Sequence, residues 1–281
     1  LKVHHNINSK IFPKSFFELD NSDPSVFHPT PQSKGPWDPT TLHGRVISGL
    51  AAYEVERFHI PESDKANLQL SRLTVDMFRP APMSALTVKS EVVRSGRRIK
   101  VIEVKIEADV PNRGQVEIAR SSAVLLRRSK NPPGDIWTPP EWEISPPSET
   151  LPYPSENDPQ SNSIWHSVSP DGSPKEKKLA LKRLWIRETH NLVSGVMPSQ
   201  LVKVAQVADF ANPGANSGIN GLNYINADVC LYLHRDPVGM WMGTDSFYHG
   251  SDSGVSVGTI TLYDKEGRFG TSTVCALGQE R

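Results

Sequence analysis

Two stretches decide the fold of this chain: HGRVISGLAAYEVERF at residues 43–58 and MPSQLVKVAQVADF at residues 197–210. In both, apolar residues recur at helical spacing, which predicts one amphipathic helix each. Alternating apolar and polar runs typical of half-buried strands follow each helix, over 68–127 and over 222–277. The chain therefore repeats one unit, a helix with a curved antiparallel sheet. This predicts an α+β pseudo-dimer within a single chain, with the ligand site between the halves.

Proline marks the boundary between the two units. Nine of the 24 prolines lie between residues 129 and 160, and we expect no helix or strand there. Trp137 and Trp142 are expected to hold this segment to the surface. The predicted organisation is an N-terminal unit with a wrapping N-terminal segment over 1–130, a linker over 131–162 and a C-terminal unit over 163–281.

The ends of the second helix carry sequence signals of their own. Pro198 suits a first helical turn, where its missing N–H costs nothing, and Asn212-Pro213-Gly214 is typical of a helix stop. We therefore expect this helix to end near residue 210.

Composition excludes several classes of partner. Lys plus Arg and Asp plus Glu both number 31, so the formal charge is +0 and a polyanionic partner is not favoured. A membrane helix needs a run of about 18 apolar residues, and the sequence contains no such run. Its two cysteines are too few for a disulfide scaffold. We expect a cytoplasmic protein that binds neither nucleic acid nor a membrane.

Several catalytic and cofactor motifs are absent. The chain has no G-x-S-x-G nucleophile elbow, no phosphate loop, no G-x-G-x-x-G and no paired Cys or His at zinc spacing. A serine hydrolase of the α/β type is disfavoured, and we expect neither a cofactor nor a metal ion.

Three positions are candidates for chemistry. Asp209 lies in the last turn of the second predicted helix, where the helix dipole disfavours a carboxylate; it is either a base that polarises water or an ordinary cap of the following turn. His43 and Gly44 precede the first helix, whose free backbone N–H groups can receive an oxyanion, although a lone histidine there is as often a cap. Asn226, in a mostly apolar strand, is either a water-binding amide or an ordinary strand-edge residue.

Cys275 is a weaker candidate. It lies near the end of the last predicted strand, and no histidine follows it in the chain. We expect a buried small thiol with no catalytic role.

The segments LHGRVISGL, RLTVDMFRPAP, EIARSSAVLLRR, ADFANP and INADVCLYLHRDPVGMW resemble the tandem-hotdog acyl-CoA thioesterase-like superfamily, in particular the thioesterase II type. The resemblance covers about residues 35–130 and 180–277, and the motifs follow one another in the order and spacing of the family. It implies a double hotdog, with two antiparallel sheets each wrapped around one long helix. Hydrolysis of an acyl-CoA thioester is the activity it most often implies.

The resemblance also implies roles for individual residues. In the thioesterase II type a water is held by an Asp, a Thr or Ser hydroxyl and a Gln. ADFANP matches the Asp at Asp209, and INADV places Asn226 at the hydroxyl position. The Gln position falls on Val274 or, with a shift of one residue, on Cys275, and neither side chain can hold water as an amide does. The oxyanion donor would be the backbone N–H of Gly44 or Arg45, next to His43.

Three functions therefore remain open at the level of sequence. The first is an acyl-thioester hydrolase in which Asp209 orients or deprotonates water. The second is a non-hydrolytic hotdog enzyme, a cyclase, dehydratase or isomerase of biosynthesis, acting on a polyketide-like acyl compound. The third is a non-catalytic acyl-ligand binding protein. All three bind a small acyl compound, and assembly into a homo-oligomer is common in the family but is not specified by this sequence.

Overall fold

The structure is a computed structural model that describes residues 14–110, 112–154, 165–170 and 182–279. Its helices are α1 (Gly44–His59), α2 (Gln200–Ala208) and α3 (Ala211–Asn216). The strands, in chain order, are β1 (Ser15–Leu19), β2 (Val26–Pro29), β3 (Leu68–Met77), β4 (Leu86–Ser95), β5 (Ile99–Val110), β6 (Gly114–Arg127), β7 (Trp165–Val168), β8 (Arg183–Glu188), β9 (Asn191–Val193), β10 (Ser217–Gly218), β11 (Gly221–Leu222), β12 (Tyr224–Asn226), β13 (Asp228–Leu233), β14 (Met242–Asp252), β15 (Val255–Asp264) and β16 (Gly267–Gly278).

The strands of both halves form one continuous sheet. Its order is β7-β8-β14-β15-β16-β13-β3-β6-β5-β4-β2-β1-β9, β12 pairs with β16, and β10 and β11 form a separate hairpin. The halves join where β3 and β13 pair antiparallel, with Thr74 opposite Cys230. The expected two sheets are thus the two halves of a single 14-stranded sheet. All pairings named here are antiparallel except that of β1 with β9, which brings a strand of the second half to the first.

α1 forms where the spacing predicts it, within one residue at each end. His43 is its N-cap, and its buried face includes Val46, Leu50 and Val55. Gly49 lies where a Cβ atom would come within 2.8 Å of Gln206 Cγ on α2. The glycine therefore allows the two helices to approach closely.

α1 and α2 pack against each other in opposite directions. The start of α1 at Gly44 lies next to Asp209, which directly follows α2. At the opposite end, the N-cap of α2, Ser199, donates from Oγ to Glu56 Oε2 at 2.6 Å. The last turn of α2 and the first turn of α1 consequently meet at one place in the molecule.

The second helix departs from its predicted bounds. α2 begins at Gln200 rather than at 197, and the predicted stop at Asn212-Pro213-Gly214 lies inside α3. Pro213 is the third residue of α3. The first four N–H groups of a helix have no intrahelical acceptor, so the missing N–H of Pro213 costs no hydrogen bond. The Gly214 N–H donates to the Phe210 carbonyl at 2.8 Å, so the chain continues as a second short helix after a break at Asp209.

The described part of the proline-rich segment, up to residue 154, contains no helix or strand, as expected; residues 155–162 lie outside the described residues. Trp142 is buried against Trp185, with ring centroids 5.2 Å apart, and against Tyr263. Trp137 is 82% exposed, so the prediction that it holds the segment to the surface is wrong. Among the described residues, no helix has the length and apolar character to cross a bilayer.

Candidate functional site

The first turn of α1 is one wall of the site. The His43 imidazole caps the helix, with Nδ1 3.2 Å from the Arg45 backbone nitrogen. Gly44, the first helical residue, has a backbone N–H without an intrahelical acceptor, as every helix start does. A helix start of this kind carries partial positive charge and attracts an anion.

Asp209 forms the opposite wall. It is the C-cap of α2 and is only 4% exposed. Its Oδ1 accepts a hydrogen bond from Asn226 Nδ2 at 2.9 Å, and its Oδ2 lies 3.2 Å from His43 Nδ1. The structure therefore brings Asp209, Asn226, His43 and Gly44 together between the two halves. Their chemical roles stay predictions.

Gly44 is required for this arrangement. A Cβ atom at this position would lie 3.0 Å from Asp209 Oδ1 and 3.2 Å from Met77 Cε. A side chain would thus push against the carboxylate at the start of α1. The absence of a Cβ lets Asp209 approach the helix N-terminus, whose partial positive charge offsets part of the cost of burying the carboxylate.

His43 Nδ1 cannot satisfy both of its neighbours at once. It is 3.2 Å from a donor, the Arg45 N–H, and 3.2 Å from an acceptor, Asp209 Oδ2. With a proton on Nδ1 it donates to Asp209, and the Arg45 N–H loses its acceptor. Without that proton it accepts from Arg45, and it meets Asp209 favourably only when the carboxyl is protonated. Nδ1 can therefore make only one of these two hydrogen bonds at a time.

Asn226 is held by a network of amides. Its Nδ2 donates to Asp209 Oδ1 and, at 3.1 Å, to the Asp228 carbonyl, while its Oδ1 accepts from Asn212 Nδ2 at 3.2 Å. Asn212 also donates to the Tyr224 carbonyl. These contacts determine which way the Asn226 amide points. Both of its N–H bonds are used within the protein, so Asn226 is placed to fix the carboxylate rather than to donate to water.

Arg45 places a positive charge near the site. Its side chain is fully buried, is paired with Glu188, and lies 4.4 Å from the Trp165 ring. Burial lowers the pKa of Arg45, and the charges of Glu188 and Asp209 oppose that shift. A guanidinium keeps its proton in any protein environment, so Arg45 supplies a fixed positive charge near the Asp209 carboxylate. The Arg45 side chain thus pairs with Glu188, while its backbone N–H lies against His43 Nδ1.

Aromatic rings cover the site. Trp165, on β7, lies edge-on to His43 with centroids 5.7 Å apart and edge-on to Phe210 at 5.3 Å. The side-chain exposure of His43 is 15% and that of Asp209 is 6%, so the imidazole is the more accessible of the two groups.

Val274 and Cys275 lie on opposite faces of β16. Val274 is fully buried, between Ser272, whose Oγ donates to the Ala208 carbonyl at the end of α2, and Ala276, which pairs with Asn226. An apolar side chain therefore faces the site where the resemblance implies an amide. Cys275 is exposed on the outer face, and the prediction that it is a buried thiol is wrong, because neighbouring strand residues point to opposite faces.

Sequence reasoning missed three contributors. Asn212 was interpreted only as part of a helix stop, yet it is 2% exposed and orients Asn226. Glu188 and Trp165 come from strands far from α1 in sequence, and no local pattern connects them to Arg45. Among the described residues, no group of three or more His, Cys, Asp or Glu side chains is arranged to hold a metal ion.

Comparisons with known proteins agree with this architecture. Residues 33–126 match the model of the acyl-CoA thioesterase N-terminal domain, and residues 139–273 match that of the acyl-CoA thioesterase C-terminal domain. A comparison with curated protein sequences gave no match.

Solved structures show the same fold at low sequence identity. A hotdog-fold protein of unknown function from Alicyclobacillus acidocaldarius is 14% identical, with 94% of this chain and 96% of that chain covered and a TM-score of 0.63. The tesB protein of Mycobacterium avium subspecies paratuberculosis is 14% identical, with the same coverage and a TM-score of 0.62. The acyl-CoA thioesterase II TesB2 of Mycobacterium marinum is 12% identical, with 94% and 95% covered and a TM-score of 0.58.

The fold is thus a hotdog fold, built from two units that share one sheet. The two domain matches identify the family: the chain belongs to the tandem-hotdog acyl-CoA thioesterase-like superfamily, and its structural neighbours include proteins of the thioesterase II type.

Proposed function

We propose that this protein hydrolyses an acyl-CoA-like thioester at the site between α1 and α2. The observation that supports this most directly is a nearly buried carboxylate, Asp209, held by Asn226 and His43 at the N-terminus of α1. A positioned base beside free helix N–H groups is what attack of water on a thioester carbonyl requires. Membership of the family supports the same reaction.

In the proposed mechanism, Asp209 removes a proton from a bound water as the water oxygen attacks the thioester carbonyl carbon. The resulting tetrahedral intermediate carries its negative charge on the former carbonyl oxygen. Collapse breaks the C–S bond, and the leaving thiolate takes up the proton that Asp209 received. The products are a carboxylic acid and a free thiol, and no cofactor takes part.

The oxyanion would be stabilised by the backbone N–H of Gly44. The Arg45 N–H would become a second donor when His43 Nδ1 carries a proton and donates to Asp209. A proton on Nδ1 would thus orient the carboxylate and free a backbone donor for the oxyanion. Backbone donors of this kind contribute strongly, because they are already oriented before the charge develops.

The experiment is a screen of acyl-CoA esters that differ in chain length, with released thiol as the readout. Turnover that is abolished by Asp209→Ala and kept by Cys275→Ala would support hydrolysis at this site. Cys275 is the matched control because it is exposed on the outer face of the sheet. Thiol release that survives Asp209→Ala would refute the proposed site.

A second candidate is the non-hydrolytic hotdog enzyme, in which Asp209 removes a carbon-bound proton from a polyketide-like acyl compound. The buried Val274 supports it, since an apolar side chain at the position where the resemblance implies a Gln holds water less firmly than an amide would. Consumption of an acyl substrate without thiol release, still dependent on Asp209, would favour this reaction over hydrolysis.

A further inference from the structure

Two fully buried polar side chains near the site find no hydrogen-bond partner among the residues that the structure describes. In the part of the chain that the structure describes, neither the amide oxygen nor the amide nitrogen of Gln206 has a partner, and neither does the Ser48 hydroxyl. Both residues are 0% exposed. Leaving such groups unpaired in the interior costs stability, and an unpaired buried amide therefore calls for an explanation.

Both side chains belong to the face where α1 meets α2. Gln206 lies three residues before Asp209, and its Cγ passes within 2.8 Å of the position that a Gly49 Cβ would occupy. Ser48 lies one helical turn after Gly44, on the side of α1 that faces Asp209. Along the interface of α1 and α2, Gln206 and Ser48 therefore lie about one helical turn away from the carboxylate and the start of α1.

The direction of the Gln206 side chain separates it from the reacting atoms. Side chains on a helix lean toward its N-terminus, so Gln206 points along α2 away from Asp209. Gln206 Cγ and Cδ accordingly lie against Gly49, whereas Asp209 lies against Gly44. In a substrate whose thioester is bound at Gly44, the amide would lie beyond the carbonyl carbon, along the acyl chain.

We propose that Gln206 and Ser48 form a polar subsite for a hydroxyl or oxo group on the acyl chain of the substrate. This rests on the proposed function, since the thioester at Gly44 defines the direction in which the chain enters. A hydroxyl both donates and accepts, as do the amide and the serine hydroxyl, so all three can be satisfied together. A plain alkyl chain leaves the amide and the serine unpaired and is therefore discriminated against.

The test measures binding rather than turnover. Acyl-CoA analogues in which a methylene group separates the sulfur from the carbonyl cannot release thiol, and their dissociation constants are measured by titration calorimetry. The analogues carry an octanoyl, a β-hydroxyoctanoyl, a β-oxooctanoyl or a δ-hydroxyoctanoyl chain. We expect at least one oxygenated chain to bind about tenfold more tightly than the plain chain. Equal binding of all four would overturn the proposal.

Gln206→Leu is the decisive variant, and Gln69→Leu is its matched control. Gln69 is also a buried glutamine, but Leu70, Asp236 and Arg128 satisfy its amide. We expect Gln206→Leu to abolish the preference for the oxygenated chain and to keep or raise the melting temperature. Gln69→Leu should keep the preference and lower the melting temperature.

The remaining outcomes are also decisive. If Gln206→Leu lowers the melting temperature as Gln69→Leu does and leaves the preference intact, the amide has a structural role and the proposal fails. If Gln206→Leu does not fold, Ser48→Ala must reduce the preference for the proposal to stand. Oxygenated analogues that bind preferentially to a protein that releases no thiol would refute hydrolysis and leave the polar subsite in place.

Discussion

The two ends of the α1–α2 helix pair occupy equivalent places in the repeat and differ in chemistry. Ten residues after the N-cap Ser199 comes the carboxylate of Asp209, and ten residues after the N-cap His43 comes Tyr53. Tyr53 packs edge-on against Phe27 with centroids 6.1 Å apart. The residue at this position is thus a buried carboxylate at one end of the pair and an aromatic ring at the other.

The paired strands differ in the same way. β3 and β13 meet with Thr74 opposite Cys230, and four residues before these lie Leu70 and Asn226. Leu70 is buried in the apolar core, whereas Asn226 holds Asp209. The repeated unit therefore provides two equivalent places, and only one of them carries a carboxylate and an amide at these two positions. We refer to the place of Asp209 and Asn226 as the polar end. The place of Tyr53 and Leu70 is called the apolar end, although a buried carboxylate, Glu54, follows Tyr53 in the chain.

The largest difference between the ends should appear on removal of the carboxylate charge. Asp209→Asn keeps the side-chain shape but removes the base, so we expect thiol release to fall by about 10²-fold or more. Tyr53→Phe at the equivalent position of the apolar end should leave the rate within about twofold, since Tyr53 lies outside the proposed chemistry. Steady-state rates and melting temperatures of both variants decide this. Equal rates for Asp209→Asn and the wild type would make Asp209 structural.

Gly44→Ala tests the close approach of the carboxylate to the helix start. The new methyl group would lie 3.0 Å from Asp209 Oδ1, so the carboxylate or the helix must shift. A misplacement of this kind should lower kcat/KM roughly tenfold or more. Gly218→Ala is the control, because a Cβ there has no neighbour within 4 Å. A fully active Gly44→Ala enzyme would show that the helix start does not contact the reacting groups.

His43→Ala and Ser199→Ala compare the two helix caps. Each variant loses one N-cap side chain, which costs about 1 kcal/mol, equivalent to about 2–4 °C in melting temperature. Only His43 also contacts Asp209, so only its loss should reduce the rate, by roughly tenfold. Similar loss of rate in both variants would mean that the effect comes from helix fraying and not from the contact of His43 with Asp209.

Val274→Gln tests whether the missing amide limits hydrolysis. An amide at this buried position should hold the attacking water better and raise thiol release roughly threefold or more on simple acyl-CoA esters. It should also lower stability by about 1–3 kcal/mol if the amide is not fully paired. Cys275→Gln on the exposed outer face should change neither property. A slower Val274→Gln enzyme would argue that the site has no use for a third water ligand.

The smallest expected effect is on acid stability near the polar end. Burial, together with the charges of Arg45 and Lys14, lowers the pKa of His190 from 6.5 to about 4. Between pH 6.5 and 4 the unfolded state therefore binds a proton at His190 that the folded state does not. Through this residue, the free energy of unfolding is highest above pH 6.5 and falls as the pH drops toward 4. The melting temperature of His190→Gln should vary less over this range than that of the wild type. Identical pH profiles would show that other groups govern the acid transition.

The sequence by itself determined the repeated unit, because apolar spacing depends only on neighbours along the chain. The α1 bounds, the candidate carboxylate Asp209 and the lack of a glutamine at Val274 or Cys275 could all be stated before the structure. Local signals were less reliable where tertiary contacts compete with them. Asn212-Pro213 continues as α3, since the Asn212 amide is satisfied by Tyr224 and Asn226 rather than by a helix cap.

The contacts around Asp209 become visible only in the tertiary structure. The contacts of its carboxylate with His43 and of Arg45 with Glu188 join residues more than a hundred positions apart. The first exists because α1 and α2 pack antiparallel, and the second because β8 of the second half lies against the start of α1. The Gln206 amide, which has no partner among the described residues, is likewise invisible in the sequence, where it is one of three polar residues of α2. Hydrogen-bond satisfaction is a property of the packed interior, and the order of residues along a chain does not contain it.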